Sequence, residues 1–128
     1  MNPKIRHFMS KKPLTICHTQ TLETAHDMMR QHAIRHLPVL AEGKLVGLLS
    51  SRDIHFIEAL RKADPRNTKV NEVMSSDVYL THPDTPLEEV ASTMAEHKYG
   101  STVVIDRGSV VGVFTTVDAL KALAALLK

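Results

Sequence analysis

At 128 residues the chain has the length of one ordinary domain, enough to bury a core without metal or disulfide staples. Hydrophobic residues make up 43% and charged residues 23%, the balance of a soluble globular protein, and no apolar run approaches the roughly 20 residues of a membrane helix. A net charge of +2, scattered basic residues and the absence of tryptophan argue against a nucleic-acid footprint or a stacking platform for single strands.

The first twelve residues carry Lys4, Arg6, Lys11 and Lys12 without an acid. No uninterrupted apolar stretch follows, so a secretory signal is not expected and the expected location is cytoplasmic. Lys4 to Met9 reads as a short helical lead-in and Leu14-Thr15-Ile16 as a short strand. The single cysteine, Cys17, has no partner for a disulfide, redox or metal pair and reads as a small core or edge residue. Thr21 is placed to cap a helix whose apolar positions, Leu22, Ala25, Met29 and Ala33, have helical spacing. His36 to Leu40 and Leu45 to Leu49 are β-rich runs around Glu42-Gly43-Lys44, a hairpin in which the glycine can take positive φ. Pro38 points to an edge or a bulge. Ser50 or Ser51 then caps a helix through Ile54, Ile57 and Leu60, and a polar linker at 64–68 follows.

The order then repeats: a strand over Val78 to Thr81, a helix with Leu87, Val90 and Met94 on its apolar stripe, a hairpin around Arg107-Gly108, and a last helix. An offset of 65 aligns residues 4–59 with 69–124 without a gap. It gives identities at Lys4, Met9, Ser10, Leu22, Glu23, Met29, His32, Val39, Gly43, Val46, Gly47, Asp53 and Ala59. Two copies of this length do not make an open solenoid, so they are expected to pack as a pseudo-twofold pair, copy one over 1–63 and copy two over 69–128. The fold class expected is α/β (α+β), each copy being strand–helix–strand–strand–helix with a small sheet packed by helices. The last helix, Ala119 to Leu127, is apolar around most of its circumference, which predicts a homodimer contact unless it packs wholly inside the fold.

The chemistry concentrates where each hairpin runs into a helix. Gly47-Leu48-Leu49-Ser50-Ser51-Arg52-Asp53 returns as Gly112-Val113-Phe114-Thr115-Thr116-Val117-Asp118. Hydroxyls and a carboxylate stand there beside the N–H groups and positive end of a helix, a polar corner suited to a ribose and a phosphate. A plainer reading stands alongside: Asp53 and Asp118 as acids balancing a helix dipole, and Ser50 and Thr115 as caps. Eight histidines invite a metal hypothesis, since His32 and His36 are four apart with His26 nearby, but the helix carrying His32 is expected to end before His36, no Cys/His pair has ligand spacing and no carboxylate partner is evident, so no metal is expected. No glycine-rich phosphate loop, nucleophile elbow or acid/base pair suggests an enzyme.

The duplicated order of elements, the Met-Ser heading each copy, Leu-Pro-Val in the first hairpin and Gly-x-x-[Ser/Thr]-x-x-Asp at the hairpin ends resemble the CBS domain, which occurs in tandem as the Bateman module. The resemblance implies a regulatory module without chemistry of its own, whose clefts take adenosine-containing ligands such as AMP, ADP, ATP, NAD or S-adenosylmethionine and which signals to a regulated partner. Carried onto this sequence, Asp53 and Asp118 would accept hydrogen bonds from the ribose hydroxyls, and Ser50 and Thr115 would contact ribose or phosphate. Thr15, Ile16, His36 and Leu37 would line one base pocket, and Leu80, Thr81, Ser101 and Thr102 the other. Arg52, with Arg35 and His36, would favour phosphate in copy one, where copy two has Val117, Gly100 and Ser101. Copy one is therefore expected to hold the phosphorylated ligand more tightly.

Overall fold

The computed structural model describes residues 2–128. It divides into two compact units, Leu14–Val78 and a second formed by Met1–Pro13 with Tyr79–Lys128. The units do not coincide with the sequence copies at 1–63 and 69–128, because each copy's lead-in packs on the sheet of the other.

The first unit holds β2 (Ile16–Cys17), α1 (Leu22–His32), β3 (His36–Ala41), β4 (Lys44–Ser50), α2 (Ser51–Arg61) and a 3-10 turn over Val70–Glu72. Its sheet runs β2-β3-β4, with β2 parallel to β3 and β3 antiparallel to β4. The second unit holds a 3-10 turn over Ile5–His7, β1 (Ser10–Lys11), β5 (Leu80–Thr81), α3 (Leu87–His97), β6 (Ser101–Asp106), β7 (Ser109–Thr115) and α4 (Thr116–Leu126). Its sheet runs β1-β7-β6-β5, with the parallel pair now β5 and β6.

Local chemistry explains the elements. Thr21 caps α1, its side chain accepting from the Thr24 N–H at 3.2 Å. Both hairpins turn through two residues of positive φ, Glu42 (51°) with Gly43 (80°) and Arg107 (52°) with Gly108 (79°). That backbone matches the twist of the flanking strands, and glycine makes the second position cheap. α1 buries Leu22, Ala25 and Met29 against Ile16, Leu37, Val39 and Leu49 in one core. α3 buries Leu87, Val90 and Met94 with Val104, Phe114 and Ala122 in the other.

The lead-ins are the fixed points. Ile5 donates its N–H to the Thr85 carbonyl at 3.0 Å and Leu87 to the Pro3 carbonyl at 2.9 Å. In the first unit Val70 donates to Gln20 at 2.8 Å and Leu22 to Thr68 at 2.9 Å. Ile5 and Val70 are both fully buried, which stabilises each attachment by about 2 kcal/mol. The Met-Ser pair then crosses the last strand of the hairpin at its glycine. A Cβ on Gly47 would stand 2.6 Å from the Met74 sulfur and 2.8 Å from the Ser75 carbonyl oxygen. Met9 and Ser10 occupy the same place over Gly112. Glycine is required there because another chain segment fills the space of a side chain.

Two expectations are adjusted. The first strand of each copy is shorter than the sequence suggests, Ile16–Cys17 and Leu80–Thr81, so Thr15 precedes its strand. Pro38 lies in the central strand of its sheet and not on an edge, with the irregularity one residue on, between Val39 and Leu40. The sheet tolerates it because β2 pairs only with Val39 and Leu40 and stops short of Pro38. At the matching position of the second unit, Val103 donates to the Tyr79 carbonyl at 3.0 Å, a bond a proline cannot make.

Candidate functional site

In each unit a strand ends in a hydroxyl residue and a helix begins with the next. Ser50 is the N-cap of α2 in extended backbone, and its hydroxyl accepts from the Asp53 N–H at 3.1 Å. Asp53 reaches back, its Oδ2 accepting from the Ser50 N–H at 3.0 Å. This reciprocal arrangement satisfies two N–H groups that a helix start otherwise leaves without partners. Thr115 and Asp118 repeat it at α4: the Thr115 N–H donates to Asp118 Oδ2 at 2.9 Å and the Asp118 N–H to the Thr115 hydroxyl at 3.4 Å. The plainer sequence reading, caps and helix-terminal acids, therefore describes what these four residues do within the chain.

The corners differ in what remains. The Ser10 hydroxyl of the lead-in donates to Asp118, 3.4 Å from Oδ1 and 3.5 Å from Oδ2, and Asp118 is 9% exposed. The corresponding serine of the other lead-in, Ser75, donates instead to the Asp77 carbonyl at 3.4 Å. Asp53 is half-buried, and no hydrogen bond among the described residues uses its Oδ1. One carboxylate is thus covered by its own fold, and the other keeps an acceptor in reserve.

Beside the Asp53 corner lies a cavity of about 610 Å³ lined by Arg35, Ser51, Arg52, His55 and Phe56. The Ser51 N–H donates to the Arg35 carbonyl at 2.9 Å, which pins the turn after α1 against the start of α2. The second unit makes the same backbone link, Thr116 to Gly100 at 3.2 Å, without the arginines. A different cavity, about 680 Å³, opens between α3 and α4 over Leu87, Phe114, Ala119, Ala122, Leu123 and Leu126. Where the sequence places Ala91, Ala119 and Ala122, the first copy carries His26, Ile54 and Ile57. Small residues on facing helices leave that groove open.

The remaining sequence candidates fall into three kinds. Ile16 and Leu37 are core residues, 4% and 0% exposed, so their main chain is what they offer a ligand. Thr102 is fully buried and donates its hydroxyl to the Tyr79 carbonyl at 2.9 Å, with Thr81 3.1 Å away and Ser101 nearly buried beside it. Leu80 is exposed, and Thr15 and His36 are half-buried. His36 faces Ser50 across the β3–β4 register and Ser101 faces Thr115 across β6–β7, so both stand next to a corner. The histidine in the cavity is His55, one turn into α2, which the sequence reading did not single out; its spacing of three from Arg52 on one helix face was the available signal. Cys17 lies on the edge strand β2, exposed, with its thiol held below the ordinary value by the Thr19 hydroxyl. Among the described residues no group of three His, Cys, Asp or Glu stands together as a metal site, and no helix is long and apolar enough to cross a membrane.

Fold and corners together define a tandem-repeat α+β module with one capped strand-to-helix corner in each half. The chain belongs to the CBS domain family, whose model matches residues 5–57 and 70–125. It is 30% identical over 114 residues to the CBS domain-containing protein YhcV of Bacillus subtilis, covering 89% of this chain and 81% of that one. It is 35% identical over 117 residues to the L-aspartate semialdehyde sulfurtransferase of Methanocaldococcus jannaschii, of which it spans 22%. Among solved structures it resembles the CBS domain pair of protein MJ0100 in complex with 5′-methylthioadenosine and S-adenosyl-L-methionine, with a TM-score of 0.87, 29% identity and 98% of each chain covered. It also resembles an acetoin utilization protein (AcuB) from Vibrio cholerae, with a TM-score of 0.87, 31% identity, and 99% of this chain and 94% of that one covered.

Proposed function

We propose that this chain is a cytoplasmic regulatory module, without catalysis of its own, that binds adenosine-containing nucleotides, AMP, ADP or ATP foremost, and passes their occupancy to a partner protein. The observation that carries the reading is Asp53, whose Oδ2 completes the helix cap while Oδ1 remains unused. A ribose offers two vicinal hydroxyl donors to such an acceptor, and the N–H groups opening α2 favour the anion that follows. The MJ0100 pair, with methylthioadenosine and S-adenosylmethionine, supports a ligand of the adenosine class. Signalling follows only as far as the ligand binds one arrangement of the protein better than another.

The test is thermal stabilisation by AMP, ADP, ATP, NAD, S-adenosylmethionine and GTP, repeated with Asp53→Asn, which keeps an acceptor for the cap and removes the charge. A true ligand raises the melting temperature by mass action, and the substitution should abolish the rise. No rise with any adenosine compound sinks the reading.

A second reading rests on α4, where Leu120, Leu123, Leu126 and Leu127 are each more than half exposed. Together with the groove between α3 and α4 they favour an interaction module that docks a protein, or a second copy as a homodimer, through its C-terminal helix. A chain that binds no nucleotide but self-associates through these leucines would fit this reading instead.

A further inference from the structure

We propose that the groove between α3 and α4 is a docking site for a short amphipathic helix of a partner protein, one whose apolar face is flanked by lysine or arginine. The proposal deepens the docking reading of α4 and rests on it, independently of the adenosine reading. The groove is built from Leu87 and Ala91 of α3, Phe114 of β7, and Ala119, Leu123 and Leu126 of α4. Leu123 and Leu126 are 54% and 56% exposed, so one wall offers apolar surface directly to water.

The two copies differ at these positions. The first copy has His26 and Ile54 where the second has Ala91 and Ala119, and Glu58 and Arg61 where the second has Leu123 and Leu126. Ile54 is 1% exposed and fills its own unit's core, so the same order of elements carries a filled, charged face in one unit and an open, apolar one in the other. Ala91, Ser92 and Ala119 keep side chains short where a third helix would lie, and the approach of packed helices is set by the side chains at their contact. From Ala119 to Leu126 the wall is about 10 Å long, roughly two turns of helix. A helix of two to three turns with apolar anchors at i, i+3 or i+4 and i+7 matches that length.

Charge selects the occupant. The charged residues lining the groove are Glu88 and Glu89, both in the first turn of α3. Neither forms an ion pair among the described residues, whereas Glu23, which holds the place of Glu88 in the first copy, pairs with Arg66 at 3.3 Å. Two carboxylates outweigh the roughly half-unit positive charge of a helix N-terminus. The chain as a whole carries +2, so this acidic rim runs against the net charge and marks one face for a cationic partner.

Fluorescence anisotropy of a labelled leucine–lysine amphipathic peptide of about 14 residues, titrated with the full chain, tests this. The peptide should bind once per chain, at least about tenfold tighter than its leucine–glutamate counterpart, and more weakly as salt rises. Ala91→His with Ala119→Ile, the residues the first copy carries, should fill the groove and cut the affinity by at least about tenfold. Glu88→Gln with Glu89→Gln should erase the preference for lysine over glutamate. Circular dichroism and a melting curve check that both variants fold. A lysine peptide that fails to bind, binds no better than the glutamate one, or ignores the filled groove overturns the proposal. Light scattering separates that failure from failure of the docking reading. If no peptide binds but filling the groove turns a dimeric parent chain into a monomer, the occupant is a second copy: the basic helix is refuted and docking stands. A monomeric parent chain that binds neither peptide removes both.

Discussion

Ser10 and Asp118 are 108 residues apart in sequence, and the serine hydroxyl donates to the carboxylate at 3.4 Å from Oδ1. This contact exists because the lead-in of one copy lies on the hairpin of the other. It makes the two otherwise equivalent aspartates unequal, since Ser75 turns to the Asp77 carbonyl and leaves Asp53 alone. Asp53→Asn should therefore lower adenosine-ligand affinity by about ten- to a hundredfold, and Asp118→Asn by much less, in parallel calorimetric titrations. Equal losses would place the ligand at both corners.

The glycine seats set a second expectation. Gly47→Ala puts a methyl 2.6 Å from the Met74 sulfur and 2.8 Å from a backbone oxygen that cannot swing away. Overpacking of this kind destabilises by about 1–3 kcal/mol. Urea unfolding should register that loss, and Met74→Ala in the same chain should recover part of it by opening the space.

Helix ends offer the opposite sign. α1 terminates in Ala33 at φ 52°, a left-handed conformation in which a Cβ costs about 1 kcal/mol. Ala33→Gly relieves it, and after the greater freedom glycine gives the unfolded chain the net gain should be a few tenths to about 1 kcal/mol. A lower melting temperature for this variant would contradict the assignment of strain to that residue.

Acid should act on the N-terminal lead-in. The Arg6 guanidinium donates to Asp84 and holds its carboxyl below the ordinary aspartate value. A carboxylate lowered on folding stabilises the protein above its unfolded value, and the contribution is lost as pH falls through the lowered one. Both partners are exposed, so the effect is small. Arg6→Ala should leave a stability curve that is slightly lower at neutral pH and flatter on its acid limb, as followed by denaturation at successive pH values.

Self-association through α4 is measurable directly. Leu120→Glu with Leu123→Glu places charges on a face that is 66% and 54% exposed at those residues. If this face joins two copies, light scattering should give the mass of a dimer for the parent chain and of a monomer for the variant. A parent chain that is already monomeric at high concentration would rule the dimer out.

Much of the fold is legible in the residues themselves. Thr21 announces its helix, Glu42-Gly43 and Arg107-Gly108 announce their turns, and the offset of 65 makes each copy a check on the other. The exchange of lead-ins is not legible, because Lys4, Met9 and Ser10 align with Lys69, Met74 and Ser75 whichever sheet they join. Gly47 and Gly112 carried the signal, since a glycine in the middle of a buried strand means that something else occupies its side-chain space. At the corners, Ser50, Asp53, Thr115 and Asp118 follow from the motif. Covering of one aspartate by Ser10 depends on contacts across more than a hundred residues, which no local pattern encodes. His55 is not legible from the apolar stripe of α2, Ile54 and Ile57, because it shares the other face of that helix with Arg52.

The crossed lead-ins also decide where the gene can be cut. A fragment running from Leu14 to Val78 takes with it a whole sheet, both of its helices and the methionine that rests on Gly47. A fragment trimmed at 1–63, where the repeat seems to end, keeps Gly47 without its methionine and carries Met9 with no glycine to rest on. Truncation and domain-fusion designs should follow the interlock and not the period, even though both measure 65 residues.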